Sequence, residues 1–141
     1  MNCVMFIGLP AREKSTFYLE NFYQTHIRIN LDVLQTRRRE RMLFTACLEA
    51  KQPIVIDNAN STMVCRDRYF DGLKKHGFDV DGFYFGSHSD LRNIERRGSV
   101  SDIEFPCYEE GFDSLHYVTT MAGGFVVEEF DRLEANIALG Q

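Results

Sequence analysis

The segment 1–24 constrains this chain more than any other part of it. Cys3-Val4-Met5-Phe6-Ile7 is a continuous apolar run stopped by Gly8, and residues 15–24 then contain neither glycine nor proline. A run that is apolar at every position, rather than at alternate ones, reads as a strand covered on both faces, the condition of a central strand in a parallel sheet. The following stretch reads as a helix, and residues 26–30 alternate as a second strand. Strand, loop, helix and strand make a βαβ unit.

The alternation continues. Residues 31–51 carry Leu43, Ala46, Cys47 and Ala50 at helical spacing, which predicts one long amphipathic helix. Residues 53–57 give a third strand, residues 62–76 a helix ended by Gly77, and residues 78–85 a fourth strand. Residues 87–97 read as a short basic helix and residues 98–110, broken by Pro106, as a loop. Residues 117–121 and 125–130 read as strands joined through Ala122-Gly123-Gly124, with a closing helix over 131–138. The expected fold class is α/β, three layers with a mainly parallel central sheet flanked by helices, in a single domain over 1–141. Sites in such sheets lie outside the carboxyl ends of the strands, where Gly8, Asp32 and Asp57 fall.

Residues 8–15 read G-L-P-A-R-E-K-S. The phosphate-loop pattern G-x-x-x-x-G-K-[ST] places backbone amides around phosphate, a lysine at the terminal phosphates and a hydroxyl on Mg²⁺. The match lacks only the second glycine, replaced by Glu13, and its position between a buried strand and a helix is the context the motif requires. A P-loop NTPase fold is therefore expected, with Gly8, Leu9, Pro10, Ala11, Arg12, Glu13, Lys14, Ser15 and Thr16 as the ATP-binding segment. Glu13 leaves two outcomes open. Its charge faces the phosphates and weakens binding, or its side chain turns outward and leaves the amides usable.

A net charge of −5 excludes a broad basic surface that grips nucleic acid through many phosphates. The local exception is Arg37, Arg38, Arg39 and Arg41, readable either as a solvated helix face or as a phosphate contact. Cys3, Cys47, Cys65 and Cys107 have no C-x-x-C spacing and suit a reducing, cytoplasmic setting. No apolar run approaches membrane-spanning length. His26, His76, His88 and His116 show no ligand spacing, and Tyr69, Phe70, Phe78, Phe83, Tyr84 and Phe85 read as core.

Four stretches carry a family resemblance: GLPAREKST, RINLD, VIDNANST and LRNIERR, with EGFD and GGFVVEEF as weaker echoes. Over residues 4–130 the chain resembles the P-loop kinases related to the phage 5′-hydroxyl polynucleotide kinase. The resemblance implies ATP and Mg²⁺ as cofactors and a polynucleotide 5′-OH, of DNA or RNA, as acceptor. By position, Lys14 would neutralise phosphate charge, Ser15 and Asp57 would hold Mg²⁺, and Asp32 would act as general base. Arg37 and Arg38 would meet the substrate on the helix that begins near Asp32. Arg92, Arg96 and Arg97 would be lid arginines, in a lid around residues 92–110 that is short for the family. Asn60 and Thr62 match the family's turn, but Asx-turn and capping chemistry explain them as well. Two alternatives remain at this stage: a small-metabolite kinase, and a noncatalytic nucleotide-binding domain disabled at Glu13.

Overall fold

A computed structural model of the chain describes residues 1–8, 11–86, 99–100 and 103–130. Leu9, Pro10, His88, Arg92, Arg96, Arg97 and the helix expected over 131–138 lie outside these residues, and of Ala11 and Arg12 only the backbone is described.

The elements in order are β1 (Asn2–Ile7), α1 (Ala11–Asn21), β2 (Ile27–Ile29), α2 (Leu31–Leu34), α3 (Arg37–Ala50), β3 (Ile54–Asp57), α4 (Met63–Lys75), β4 (Asp79–Phe85), β5 (Ser99–Val100), β6 (Ile103–Glu104), a 3-10 turn (Tyr108–Glu110), β7 (Ser114–Met121) and β8 (Gly124–Phe130). Six strands form one sheet in the order β2-β3-β1-β4-β7-β8. All neighbours are parallel except β7 and β8, which form an antiparallel hairpin. β5 and β6 pair separately within the stretch read as loop.

β1 is central because its apolar run serves two layers at once. Cys3, Met5 and Ile7 join one buried cluster with Phe44, Cys47 and Leu48 of α3 and Tyr69, Phe70 and Leu73 of α4. Val4 and Phe6 join the other, with Phe17 and Tyr18 of α1, Val55, Phe85 and Val118. Two helical layers on one sheet follow from that alternation. Phe6 alone packs edge-on against Phe17 and Phe85, with ring centroids 5.9 and 5.0 Å away. Burying such a ring is worth about 1.5–3 kcal/mol.

Two helix boundaries differ from expectation. α1 begins at Ala11 rather than Ser15. Ala11, Arg12 and Glu13 are good helix formers standing where the motif uses flexible residues, so helix propagates toward the strand. The helix expected over 31–51 is two helices. Gln35 turns at φ 74° and Thr36 caps the N-terminus of α3 by accepting from the Arg39 amide. Thr36 is the sequence signal for this break. α4 matches expectation, capped by Thr62 and ended at Gly77 with φ +76°.

Candidate functional site

Gly8 ends β1 where no other residue fits. Its φ is +109°, and a Cβ there would stand 2.9 Å from the Phe85 carbonyl oxygen of β4. Its N–H donates to the Ala59 carbonyl at 2.8 Å, so this amide ties β1 to the β3–α4 turn instead of facing a ligand. The turn is pinned again by buried Asn60, whose Nδ2 donates to the Phe6 carbonyl at 2.7 Å. Because α1 starts early, the amides left without intrahelical partners are those of its first turn, and Ser15 and Thr16 lie inside the helix.

Lys14 turns under the sheet edge. It is 3% exposed, donates to the Asn58 carbonyl at 2.8 Å and stands 3.7 Å from Asp57 Oδ1. Burial pushes its ammonium below the usual lysine pKa, against the opposing pull of Asp57.

Arg28 completes this cluster; it opens the RINLD stretch, but the sequence assigned it no role. From β2 its Nε donates to Asp57 Oδ2 at 2.7 Å, and its Nη2 donates to Ser15 Oγ at 2.8 Å. Nη2 also lies 2.6 Å from Asp57 Oδ2. The guanidinium sits over the Tyr18 ring, 5.7 Å from its centroid. The register explains the meeting: Arg28 lies beside Val55 and Phe6 beside Asp57, so Arg28 and Asp57 share the α1 face with Ser15. The two groups expected to hold Mg²⁺, Ser15 and Asp57, are thus joined by an arginine. Their oxygens accept from one permanently charged group, a donor set that does not fit a divalent cation.

A cavity of about 340 Å³ opens at the carboxyl ends of β1, β2 and β3, lined by Lys14, Asp32, Arg37, Asp57, Asn60 and Cys65 among others. The structure thus brings together residues that the sequence offered separately. Asp32 and Arg37 come from different helices, α2 and α3, not from one. Buried Glu40 organises this wall. It accepts from Arg37 at 2.8 Å, from Asn58 Nδ2 at 2.8 Å and from the Tyr69 hydroxyl at 3.2 Å. Asn58 Oδ1 in turn accepts the Leu31 amide at 2.8 Å, and Asn30 Nδ2 donates to the Asp57 carbonyl at 2.7 Å. Asp32 is exposed at the cavity mouth on the helix these bonds hold. Burial, with Glu40 beside it, raises the Tyr69 hydroxyl above its ordinary pKa.

Beyond Arg37 and Tyr69 a second groove of about 640 Å³ runs between α3 and α4, lined by Arg37, Arg41, Arg68, Phe44 and Val64 among others. Arg38 lines neither cavity, and Arg39 donates to its own neighbours Leu34 and Gln35. Glu13, half-buried, lines a different cavity with Thr16, Glu20 and the β7–β8 turn. Glu13 does not line the cavity around Lys14. Thr62 is the N-cap of α4, accepting from the Cys65 amide at 3.1 Å. The Thr62 hydroxyl, with Arg68 and Arg37 nearby, holds the Cys65 thiol below its ordinary pKa despite partial burial. Tyr69, Phe70, Phe78, Tyr84 and Phe85 are buried, as read from the sequence.

No protein-family model and no curated protein matches the sequence. Solved structures do match the fold. A chain from the PezAT chromosomal toxin-antitoxin system of Streptococcus pneumoniae superposes with a TM-score of 0.62 at 14% identity over 84% of this chain. This chain spans 66% of that one, just under two thirds. A gluconokinase from Sinorhizobium meliloti 1021 gives a TM-score of 0.50 at 15% identity, covering 98% of this chain and 91% of the gluconokinase. The fold is the three-layer α/β fold of the P-loop NTPases, as expected from the sequence. No helix among the described residues is long and apolar enough to cross a membrane.

Proposed function

We propose that this chain binds ATP at the start of α1 and transfers the terminal phosphoryl group to a hydroxyl held in the cavity below Asp32. The observation that carries the reading is the cavity itself, which gathers Lys14, Asp32, Arg37 and Asp57 at the carboxyl ends of three adjacent strands. In the transfer, the acceptor oxygen attacks the γ-phosphorus, the bond to the β-phosphate oxygen breaks and ADP leaves. Asp32 accepts the hydroxyl proton, and Lys14 offsets charge on the phosphoryl oxygens. Arg37, held by Glu40, offers its guanidinium to a phosphate on the acceptor.

A polynucleotide 5′ end suits the acceptor better than a small metabolite, because the arginine-lined groove continues from the cavity through Arg37 and Tyr69. Arg41 and Arg68 line it with cations that follow a phosphate backbone. The residues with the family's lid arginines, Arg92 and Arg96, would close over the triphosphate. A second reading, a noncatalytic nucleotide-binding domain, is favoured by the bonds that engage Lys14 with Asn58 and Ser15 with Arg28.

Transfer of labelled γ-phosphate to a 5′-hydroxyl oligonucleotide tests both. Asp32→Asn should reduce transfer about 10²-fold or more. Undiminished transfer by that variant would remove Asp32 from the mechanism, and ATP binding without transfer to any hydroxyl would favour the noncatalytic reading.

A further inference from the structure

We infer that Arg28 takes the place of the divalent cation, so that this chain binds nucleoside triphosphate without requiring magnesium. The inference rests on the nucleotide reading above.

Three observations carry it. Arg28 reaches both of the oxygen donors that a P-loop would give a metal, with Nη2 2.8 Å from Ser15 Oγ and 2.6 Å from Asp57 Oδ2. Asp57, 2% exposed, also has Lys14 3.7 Å from its other oxygen, so one carboxylate already faces two cations. A divalent ion added here would meet two fixed positive charges beside its own ligands, and magnesium demands a near-ideal octahedron of oxygens. The third observation is that Arg28 is built in. Its guanidinium is carried over the Tyr18 ring, and the Tyr18 hydroxyl is itself fixed by donating to the His26 carbonyl at 2.7 Å.

The replacement is chemically sensible. A guanidinium is charged at every physiological pH, and its planar fork matches phosphate oxygens. Nε and Nη2 hold the protein partners, while Nη1 carries two further N–H groups on a side chain 27% exposed. Arg28 thus supplies a fixed charge between α1 and the Asp57 strand end, where a P-loop protein ordinarily relies on the ion that arrives with its nucleotide.

Calorimetric titration with ATP, once in excess MgCl₂ and once in EDTA, tests this on the unmodified chain. Dissociation constants within about twofold of each other are expected. Binding in magnesium that is lost in EDTA would overturn the inference while leaving the nucleotide reading intact. Absence of binding in both buffers would overturn the reading and the inference together. In Arg28→Ala, Ser15 and Asp57 are released, and affinity in EDTA should fall about tenfold or more, with magnesium restoring it. Equal affinities in the two buffers for Arg28→Ala would show that Arg28 does not do the cation's work. Should that variant fail to fold, Arg28→Lys keeps a charge but loses the fork, and should show the same magnesium rescue to a smaller degree.

Discussion

Two arginine–carboxylate pairs flank the β3–α4 turn, and they differ in what they leave open. Arg66 is fully enclosed. Its Nε and Nη2 grip both oxygens of Glu110 at 2.8 and 3.1 Å, and its Nη1 donates to the carbonyls of Asn60 and Glu104 at 2.8 and 3.0 Å. Glu110 also accepts the Cys107 amide at 3.0 Å. The pair therefore fastens α4, the turn, β6 and the 3-10 turn to one another. Arg28 grips Asp57 as closely but is partly open, and its other partner is the Ser15 hydroxyl of α1. A pair whose directions all end in backbone and one carboxylate fixes a fold. A pair that shares its carboxylate with a lysine, beside a cavity, sets the charge of a site.

The contrast can be broken by mutation. Arg66→Ala should lower unfolding stability by about 3–5 kcal/mol in a denaturant titration, because it strands Glu110 without its buried partner. Arg28→Ala should cost less, about 1–3 kcal/mol, since Asp57 keeps Lys14 and the vacated edge is open to water. If Arg28→Ala proved the more destabilising, the division into a fold pair and a site pair would fail.

Lys14 sharpens the comparison through pH. Its folded pKa is lowered from 10.5, chiefly by burial, so in the window between that lowered value and 10.5 the unfolded chain binds a proton that the folded chain does not. Stability should then rise with pH across this window, by linkage. ATP affinity should fall across the same window, because a neutral lysine no longer attracts phosphate. Parallel titration of stability and affinity checks the opposite signs, and affinity that holds up to pH 10.5 would place the phosphates elsewhere.

The smallest effect is a labelling one. Cys65 lines the cavity with a lowered pKa, whereas burial raises the thiols of Cys3, Cys47 and Cys107. Iodoacetamide should modify Cys65 first, followed by mass spectrometry, and a bound 5′-hydroxyl oligonucleotide should slow that reaction severalfold. Unprotected labelling would move the acceptor out of this cavity.

Much of the architecture was legible because it rests on local pattern. The uninterrupted run of β1, the β-branched run of β3 and the cap-to-glycine limits of α4 each state their element without tertiary information. Thr36 was equally local, yet it was hidden inside a helical periodicity that spans the break. The Lys14, Asp32 and Asp57 positions were readable from motif and strand ends, and Arg37 from its charge cluster. Arg28 was not. In Ile27-Arg28-Ile29 it reads as the polar side of a short strand, and only the sheet order and register set it beside Asp57 and Ser15. The surroundings of Glu13 were likewise set by where α1 begins, a competition between helix propensity and loop geometry that the motif alone does not decide.

The central claim is that triphosphate binds against Lys14 at this cavity. Calorimetric titration of ATP into the chain and into Lys14→Met tests it most directly. The account predicts measurable binding to the unmodified chain and a loss of about tenfold or more in the variant, with the fold retained by circular dichroism. Equal affinity in a folded Lys14→Met would contradict it.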